Sequence, residues 1–445
     1  MEFLGTMKIN EKNHLEIGGC DCVELAKTFG TPLFVMDETL IRQNCRSYIN
    51  SLEKHYQNSE VIYASKAFSS LALYKIIEEE GLGLDVVSGG EIFMALEAGF
   101  PPEKIYFHGN NKSYDELKLA LESGITKIIV DNFLELDMLN ELCREMHKNV
   151  NILLRITPGI EAHTHHYIRT GQIDSKFGFP IENGQGFLAV EKVLKMKRFR
   201  FAGLHCHIGS QIFDKEPFEH TVSTMMDFIR QIKDRYNTDV KVLNLGGGFG
   251  IKYIDTDKPR HVEDYIEAIT KKVNFYSKKY NLVPPKIMLE PGRAIVGDAC
   301  ITLYTIGAIK DIPGIRKYVS VDGGMTDNIR PALYQAKYHA MIANNCKAEK
   351  KELVSIAGKC CESGDMLIWD IELPKVSPGD YLAVFSTGAY HYSMSSNYNK
   401  IPRPAVVLVS EGQAEIIIKR ETYKDLVKND IIPKRLKNKS TYLAL

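Results

Sequence analysis

The chain has 445 residues, 44% of them hydrophobic and 25% charged, with 56 Lys and Arg set against 56 Asp and Glu. That balance leaves no net field to gather nucleic acid or an anionic membrane, and points to a small-molecule partner. The length exceeds what one ordinary core supports, which predicts two domains.

The nine cysteines form no CxxC pattern, because Cys20/Cys22 and Cys360/Cys361 are spaced too closely. Met1–Asn10 lacks a basic start followed by an apolar core, and no run of about 18 apolar residues occurs. A reduced, cytoplasmic setting is expected.

In chain order, residues 1–30 are mixed and polar, and Pro32–Met36 reads as a short apolar strand leading to a helix from Glu38. A rhythm then begins. Apolar, β-branched runs recur at Val61–Ala64, Leu84–Val87, Ile105–His108, Lys127–Val130, Asn151–Ile156, Phe201–His207, Val240–Leu245 and Lys286–Glu290. Between them Leu71–Glu80, Glu91–Ala98, Asp115–Leu121 and Leu134–Met146 carry apolar residues at helical spacing. Eight strands alternating with helices predict a TIM-like (β/α)8 barrel over 35–290, with an open doubly wound sheet as the alternative. After Gly292 the pattern changes to short strands separated by turns: Ala299–Lys310, Tyr318–Val321, Glu352–Ala357, Asp380–Phe385, Ala405–Leu408 and Ala414–Ile418. These predict a mostly antiparallel β-sandwich or β-barrel domain from 291–445 joined by 1–34, completing the active site.

In such a barrel, functional side chains gather at the C-terminal ends of the strands. Lys66 follows strand one, Asp85 and Ser88–Glu91 strand two, His108–Asn110 strand three, and Arg155 closes strand five. His205–Ser210 ends strand six, Gly246–Gly250 follows seven and Glu290–Arg293 follows eight. An amine at the end of a buried strand suits a Schiff-base lysine. Consecutive glycines let backbone N–H groups converge on an anion, and Arg293 in the next loop strengthens a phosphate reading. Glu290 about 3 Å from a pyridine nitrogen would interact by about 5 kcal/mol at an effective dielectric near 20, enough to hold the ring protonated. A buried ion pair of Glu290 with Arg293 would give the same local motif. His205 and His207 alternate on one strand face, but spacing offers no third ligand, so no metal is expected.

Taken together, Tyr63–Ala67, His207–Gln211, Gly246–Gly250 and Glu290–Arg293 resemble the barrel-type (fold type III) pyridoxal-phosphate decarboxylases. Asp327–Tyr334, Cys361–Asp365, Thr387–Tyr390 and Ser396–Asn399 resemble the diaminopimelate branch. The likeness spans about 30–420. It implies that Lys66 joins pyridoxal 5'-phosphate covalently, His207 stacks on the ring, and Glu290 holds the ring nitrogen. It further implies that Ser210, Gly246, Gly247, Gly248, Gly292, Arg293 and Tyr390 surround the phosphate. Arg293, Arg330, Tyr334, Glu362 and Tyr390 would contact substrate. In the family Cys361 and Glu362 come from the partner subunit of a homodimer, and Cys361 is the implied proton donor. The alternative for Cys361 is an inert small hydrophobe.

The substrate reading rests on charge. Meso-2,6-diaminopimelate carries an ammonium and a carboxylate at its far end, and an acid with an arginine (Glu362 and Arg330) matches both. The implied reaction is its decarboxylation to L-lysine, the last step of lysine biosynthesis. A decarboxylase of ornithine, arginine or carboxynorspermidine, and a non-catalytic cofactor-binding homologue, are the alternatives. The stretch Thr157–Gly178, with His163, Thr164, His165 and His166, resembles an active-site cover.

Overall fold

The chain, described here from a computed structural model, is defined over residues 3–160 and 174–437. All eight barrel strands form, at Ser59–Ala64, Gly83–Val86, Ile105–Phe107, Lys127–Val130, Val150–Thr157, Phe199–His205, Val242–Asn244 and Lys286–Leu289. Each pairs in parallel with the next, and Leu289 opposite Val61 closes the ring, so the open-sheet alternative is ruled out. The parallel strands are covered on both sides, which is why they read as continuous apolar runs.

Alternation along each strand divides the side chains between two cores. Ile62, Tyr106, Ile129, Leu153 and Met288, with Ala202 and Val242 against them, fill the barrel interior. Their sequence neighbours point outward to the helices. Several of those helices begin on side-chain caps: Asn132 accepts from Glu135 N–H to start Phe133–Glu145, and Ser113 with Glu116 forms a reciprocal capping box for Tyr114–Glu122.

The second domain is built on the long strand Cys300–Ile312, which pairs antiparallel with Leu33–Asp37, Arg316–Val321 and Tyr381–Phe385. Most pairings are antiparallel, with Ala405–Ser410 on Leu33–Asp37 and Arg316–Val321 on Glu352–Ala357 as parallel exceptions. Leu33–Asp37 therefore belongs wholly to this sheet, and the helix Glu38–His55 begins the barrel's outer layer. The junction falls at 37/38, not 34/35 as expected, because an apolar strand does not declare which sheet it joins. Met366–Leu373 and Ala340–Ile342 are further strands that sequence reading missed. Among the described residues no helix is long and apolar enough to cross a membrane.

Candidate active site

Strand one ends at Ala64, and the tight turn Ser65–Ala67 buries Ser65 and Ala67 while turning Lys66 into a cavity at the barrel mouth. The other domain pins this turn. Tyr390 N–H and the Ser393 hydroxyl both donate to Ala67 O, at 2.8 and 3.0 Å.

The glycine turn after strand seven packs so closely that a Cβ on Gly247 would stand 2.2 Å from Glu290 O. Gly248 has φ of +105°, a conformation side chains disfavour. The same cavity wall carries Arg293, which is 5% exposed. Its Nη2 donates to Ser210 Oγ at 2.9 Å, its Nη1 donates to the Tyr253 hydroxyl, and its Nε has no hydrogen-bond partner among the described residues. The guanidinium sits 4.8 Å from the Tyr390 ring centre. A buried cation with an unspent donor, in the wall of the same cavity as the glycines, is suited to an anion.

Glu290, at the opposite end, is 6% exposed. Asn244 Nδ2 donates to Glu290 Oε1 at 2.7 Å, and His205 Nε2 lies 3.1 Å from Oε2. His108 Nε2 is 2.9 Å from Oε1, at ion-pair distance but out of line for a hydrogen bond. Burial pushes the Glu290 carboxyl upward, yet the imidazoles of His108 and His205 outweigh it and hold the group well below its ordinary range. Glu290 is not paired with Arg293, whose nitrogens face Ser210 and Tyr253, so that alternative falls. Asp85, 3.7 Å from His108 Nε2, is raised to about 6 by burial.

His207 Nδ1 accepts from Gly247 N–H at 3.3 Å, and burial together with the Lys66 charge depresses its pKa well below the ordinary value. It stands in the cavity wall as a neutral ring. On the far side, Arg330 is 7% exposed, donates from Nε to the Tyr338 hydroxyl at 2.8 Å, and lies 5.2 Å from the Tyr334 ring and 5.7 Å from that of Tyr390.

One cavity of about 450 Å³ thus collects Lys66, His207, Ser210, Gly247, Gly248 and Glu290. Gly292, Arg293, Arg330, Tyr334 and Tyr390 complete its wall. Gly246 stands behind the wall, bonded through its N–H to Asn244 Oδ1 at 2.9 Å. Cys361 and Glu362 are exposed on a turn of the second domain and do not line the cavity of their own chain. Cys361 N–H donates to Asn399 Oδ1 at 2.7 Å.

Sequence reading missed the partners of Glu290. It sought a third group beside His205 by spacing along the chain, whereas the fold brings one from strand three and one from strand eight. The relevant atoms of His108, His205 and Glu290 lie within 4.8 Å of one another. Asn244 carried a usable signal, a polar residue ending an apolar strand just before the glycines. Arg155 lies 4.2 Å from the Phe177 ring centre, Thr157 Oγ1 donates to Phe177 O at 2.6 Å, and Gly178 N–H donates to Asp131 at 2.9 Å. These contacts tie the two ends of the expected cover together. Residues 161–173, with His163, Thr164, His165 and His166, lie outside the described residues.

Residues 40–297 match the family model for the pyridoxal-binding domain of pyridoxal-dependent decarboxylases. The diaminopimelate decarboxylase of Bacillus subtilis (strain 168) is 55% identical over 427 residues, covering 96% of this chain and 97% of that protein. The crystal structure of a diaminopimelate decarboxylase from M. jannaschii in complex with L-lysine superposes with a TM-score of 0.91 at 39% identity, covering 97% of this chain and 99% of that one. A lysine/ornithine decarboxylase from Vibrio vulnificus, complexed with putrescine, shares the fold at a TM-score of 0.73, with 22% identity over 88% of this chain and 98% of that one.

Pyridoxal phosphate fits the residues present. The unspent Arg293 donor and the glycine turn, where a Cβ would clash, suit its phosphate, while the buried anionic acid suits its ring nitrogen. Lys66 opens into the same cavity and suits its aldehyde.

Proposed function

The chain belongs to the diaminopimelate decarboxylases of the pyridoxal-dependent decarboxylase family, and from that premise we propose how its residues divide the work. The reaction removes CO2 from meso-2,6-diaminopimelate to give L-lysine, the last step of lysine biosynthesis, with pyridoxal 5'-phosphate as cofactor. Because the product keeps the L centre, the carboxylate lost is that of the D centre.

When bound, pyridoxal phosphate supplies the electron sink for the pair left behind as CO2 departs. Lys66 offers the amine that holds its aldehyde. Ser210, Gly246–Gly248, Gly292 and Arg293 take the phosphate end, with Tyr390 closing that side. Neutral His207 would stack on the ring without adding a charge, and Glu290 would keep a proton at the ring nitrogen. Arg330, flanked by Tyr334 and Tyr390, receives the distal carboxylate of the substrate, and Arg293 lies within reach of it. Cys361 and Glu362 enter from the second copy of a homodimer. Glu362 reads the distal ammonium, and the Cys361 thiol delivers the proton to the carbon that lost CO2. Their exposure on their own chain supports this, since neither reaches the cavity beside it. The second domain, which carries Arg330, Tyr334, Cys361, Glu362 and Tyr390, then completes a site whose chemistry sits on the barrel.

The observation that carries this reading is the single cavity holding an amine, an anionic acid and an unspent guanidinium at separate positions. Incubating the purified protein with meso-diaminopimelate and identifying the product tests it. L-lysine is expected, and turnover of ornithine, arginine or carboxynorspermidine in its place would replace the substrate assignment. Binding of the cofactor without turnover of any of these would identify a non-catalytic homologue.

A further inference from the structure

We infer that Asn244 and His205 are positioning residues that fix Glu290 as an oriented anion, with Asn244 also coupling that acid to the glycine turn. This rests on the reading of Glu290 as the partner of the ring nitrogen.

Asn244 is fully buried and uses both ends of its amide. Nδ2 donates to Glu290 Oε1 at 2.7 Å, while Oδ1 accepts from Gly246 N–H at 2.9 Å. Only the nitrogen can donate to a carboxylate and only the oxygen can accept from an N–H, so the amide has one productive orientation. Glu290 N–H in turn donates to Gly246 O at 2.8 Å. The acid, the asparagine and the first glycine therefore form a closed ring of contacts, and displacing one displaces the turn.

His205 addresses the other oxygen. A carboxylate only accepts, so the imidazole proton lies on Nε2, and Nδ1, which has no partner among the described residues, is the bare nitrogen. Burial lowers the His205 pKa to about 4, so it stays a neutral donor throughout the neutral range. The other ionisable groups around Glu290 include His108, Asp85, Lys66, Arg155, His207, Cys206 and Tyr106. A charge on Asp85 favours protonation of Glu290, and the two donors oppose it. A carboxylate stabilised in this way is a weaker base, so the shared proton remains at the ring nitrogen instead of moving to the acid.

The test uses holoenzyme reconstituted with cofactor labelled with ¹⁵N in the ring, whose chemical shift separates protonated from neutral rings. Asn244→Leu and His205→Phe should each move the signal toward the neutral ring at neutral pH. Each should lower kcat by about ten- to a hundred-fold, with KM changing less than about threefold. His205→Gln keeps an N–H donor and should retain the wild-type signal and most of kcat, which separates loss of the donor from loss of fold. Asn244→Leu should also weaken cofactor binding, whereas His205→Phe should not. Wild-type signals in both donor-less variants, with the signal moved in Glu290→Gln, would overturn the inference. A wild-type signal in Glu290→Gln itself would overturn the role of Glu290 and the inference with it.

Discussion

Lys112 Nζ lies 2.7 Å from Glu135 Oε1, with both side chains 1% exposed. The ammonium also donates to Gly109 O and Ile129 O, both at 2.8 Å, and Glu135 accepts from Asp131 N–H at 2.9 Å. All three ammonium protons are used, and the pair braces the loop that presents His108 and Asn110 to the cavity. Replacing Lys112 by Met strands a buried carboxylate, which should cost about 3–5 kcal/mol in denaturant unfolding. The double variant Lys112→Met, Glu135→Leu should recover part of that loss, since no uncompensated charge remains. A Lys112→Met loss under about 1 kcal/mol would contradict the brace.

Arg293 holds Ser210 with one nitrogen, and its Nε, without a partner among the described residues, is proposed to serve the phosphate. Arg293→Lys retains the charge but loses the fork, so cofactor titration should show roughly ten- to a hundred-fold weaker binding. Ser210→Ala removes one hydroxyl contact and should be milder, at about ten-fold or less. Equal losses in the two variants would argue against phosphate as the group at this end.

Arg330 is proposed to read the distal carboxylate. Arg330→Met should lower kcat/KM for meso-diaminopimelate by about a hundred-fold, and cofactor content should stay at the wild-type level. Loss of cofactor in parallel would move Arg330 from substrate recognition to the cofactor site.

The proposed sharing of the active site between two copies predicts complementation. Lys66→Ala and Cys361→Ala should each be inactive as homodimers, yet mixing them after subunit exchange should restore about a quarter of wild-type activity. This follows because half the dimers are mixed and each has one complete site. No recovery, despite proven exchange, would put Cys361 outside the partner's cavity.

Asp327 is 1% exposed, and burial raises its pKa to about 7 although it accepts from the Tyr304 hydroxyl and from Gly324 N–H. A raised carboxyl stabilises the fold fully below its ordinary pKa near 3.8 and loses that contribution as pH climbs through about 7. Asp327→Asn removes the titration while keeping an acceptor for Gly324. Its unfolding free energy relative to wild type should therefore rise between about pH 5 and pH 8, by on the order of 1–3 kcal/mol. A difference flat across that range would place the proton elsewhere.

The barrel was legible because parallel strands covered on both faces leave uninterrupted apolar runs, as in Lys127–Val130, and the helices between them keep a separate period. The second domain was less so. Met366–Leu373 reads MLIWDIEL, with Trp369 and Asp370 exposed in its middle, and its alternation is broken where the register shifts against Glu352–Ala357. Within the site, the residues proposed to meet the cofactor lie in short local motifs, so Lys66, the glycines and Arg293 could be found one loop at a time. Residues that act on Glu290 lie on three other strands, and no local pattern connects them.

By itself the sequence determined which chemical groups end each strand, because a strand's length and apolar run are local properties. It thereby placed the amine, the glycines and the acid on one rim. The tertiary structure alone decided what those groups face. Closing the barrel between Leu289 and Val61 set Glu290 among His205, His108 and Asn244 and away from Arg293, although Arg293 is three residues distant in the chain. It also left Cys361 exposed, outside its own cavity. Hydrogen bonds fall off over a fraction of an ångström, so partners are settled by where strands meet, and that is information no stretch of neighbouring residues contains.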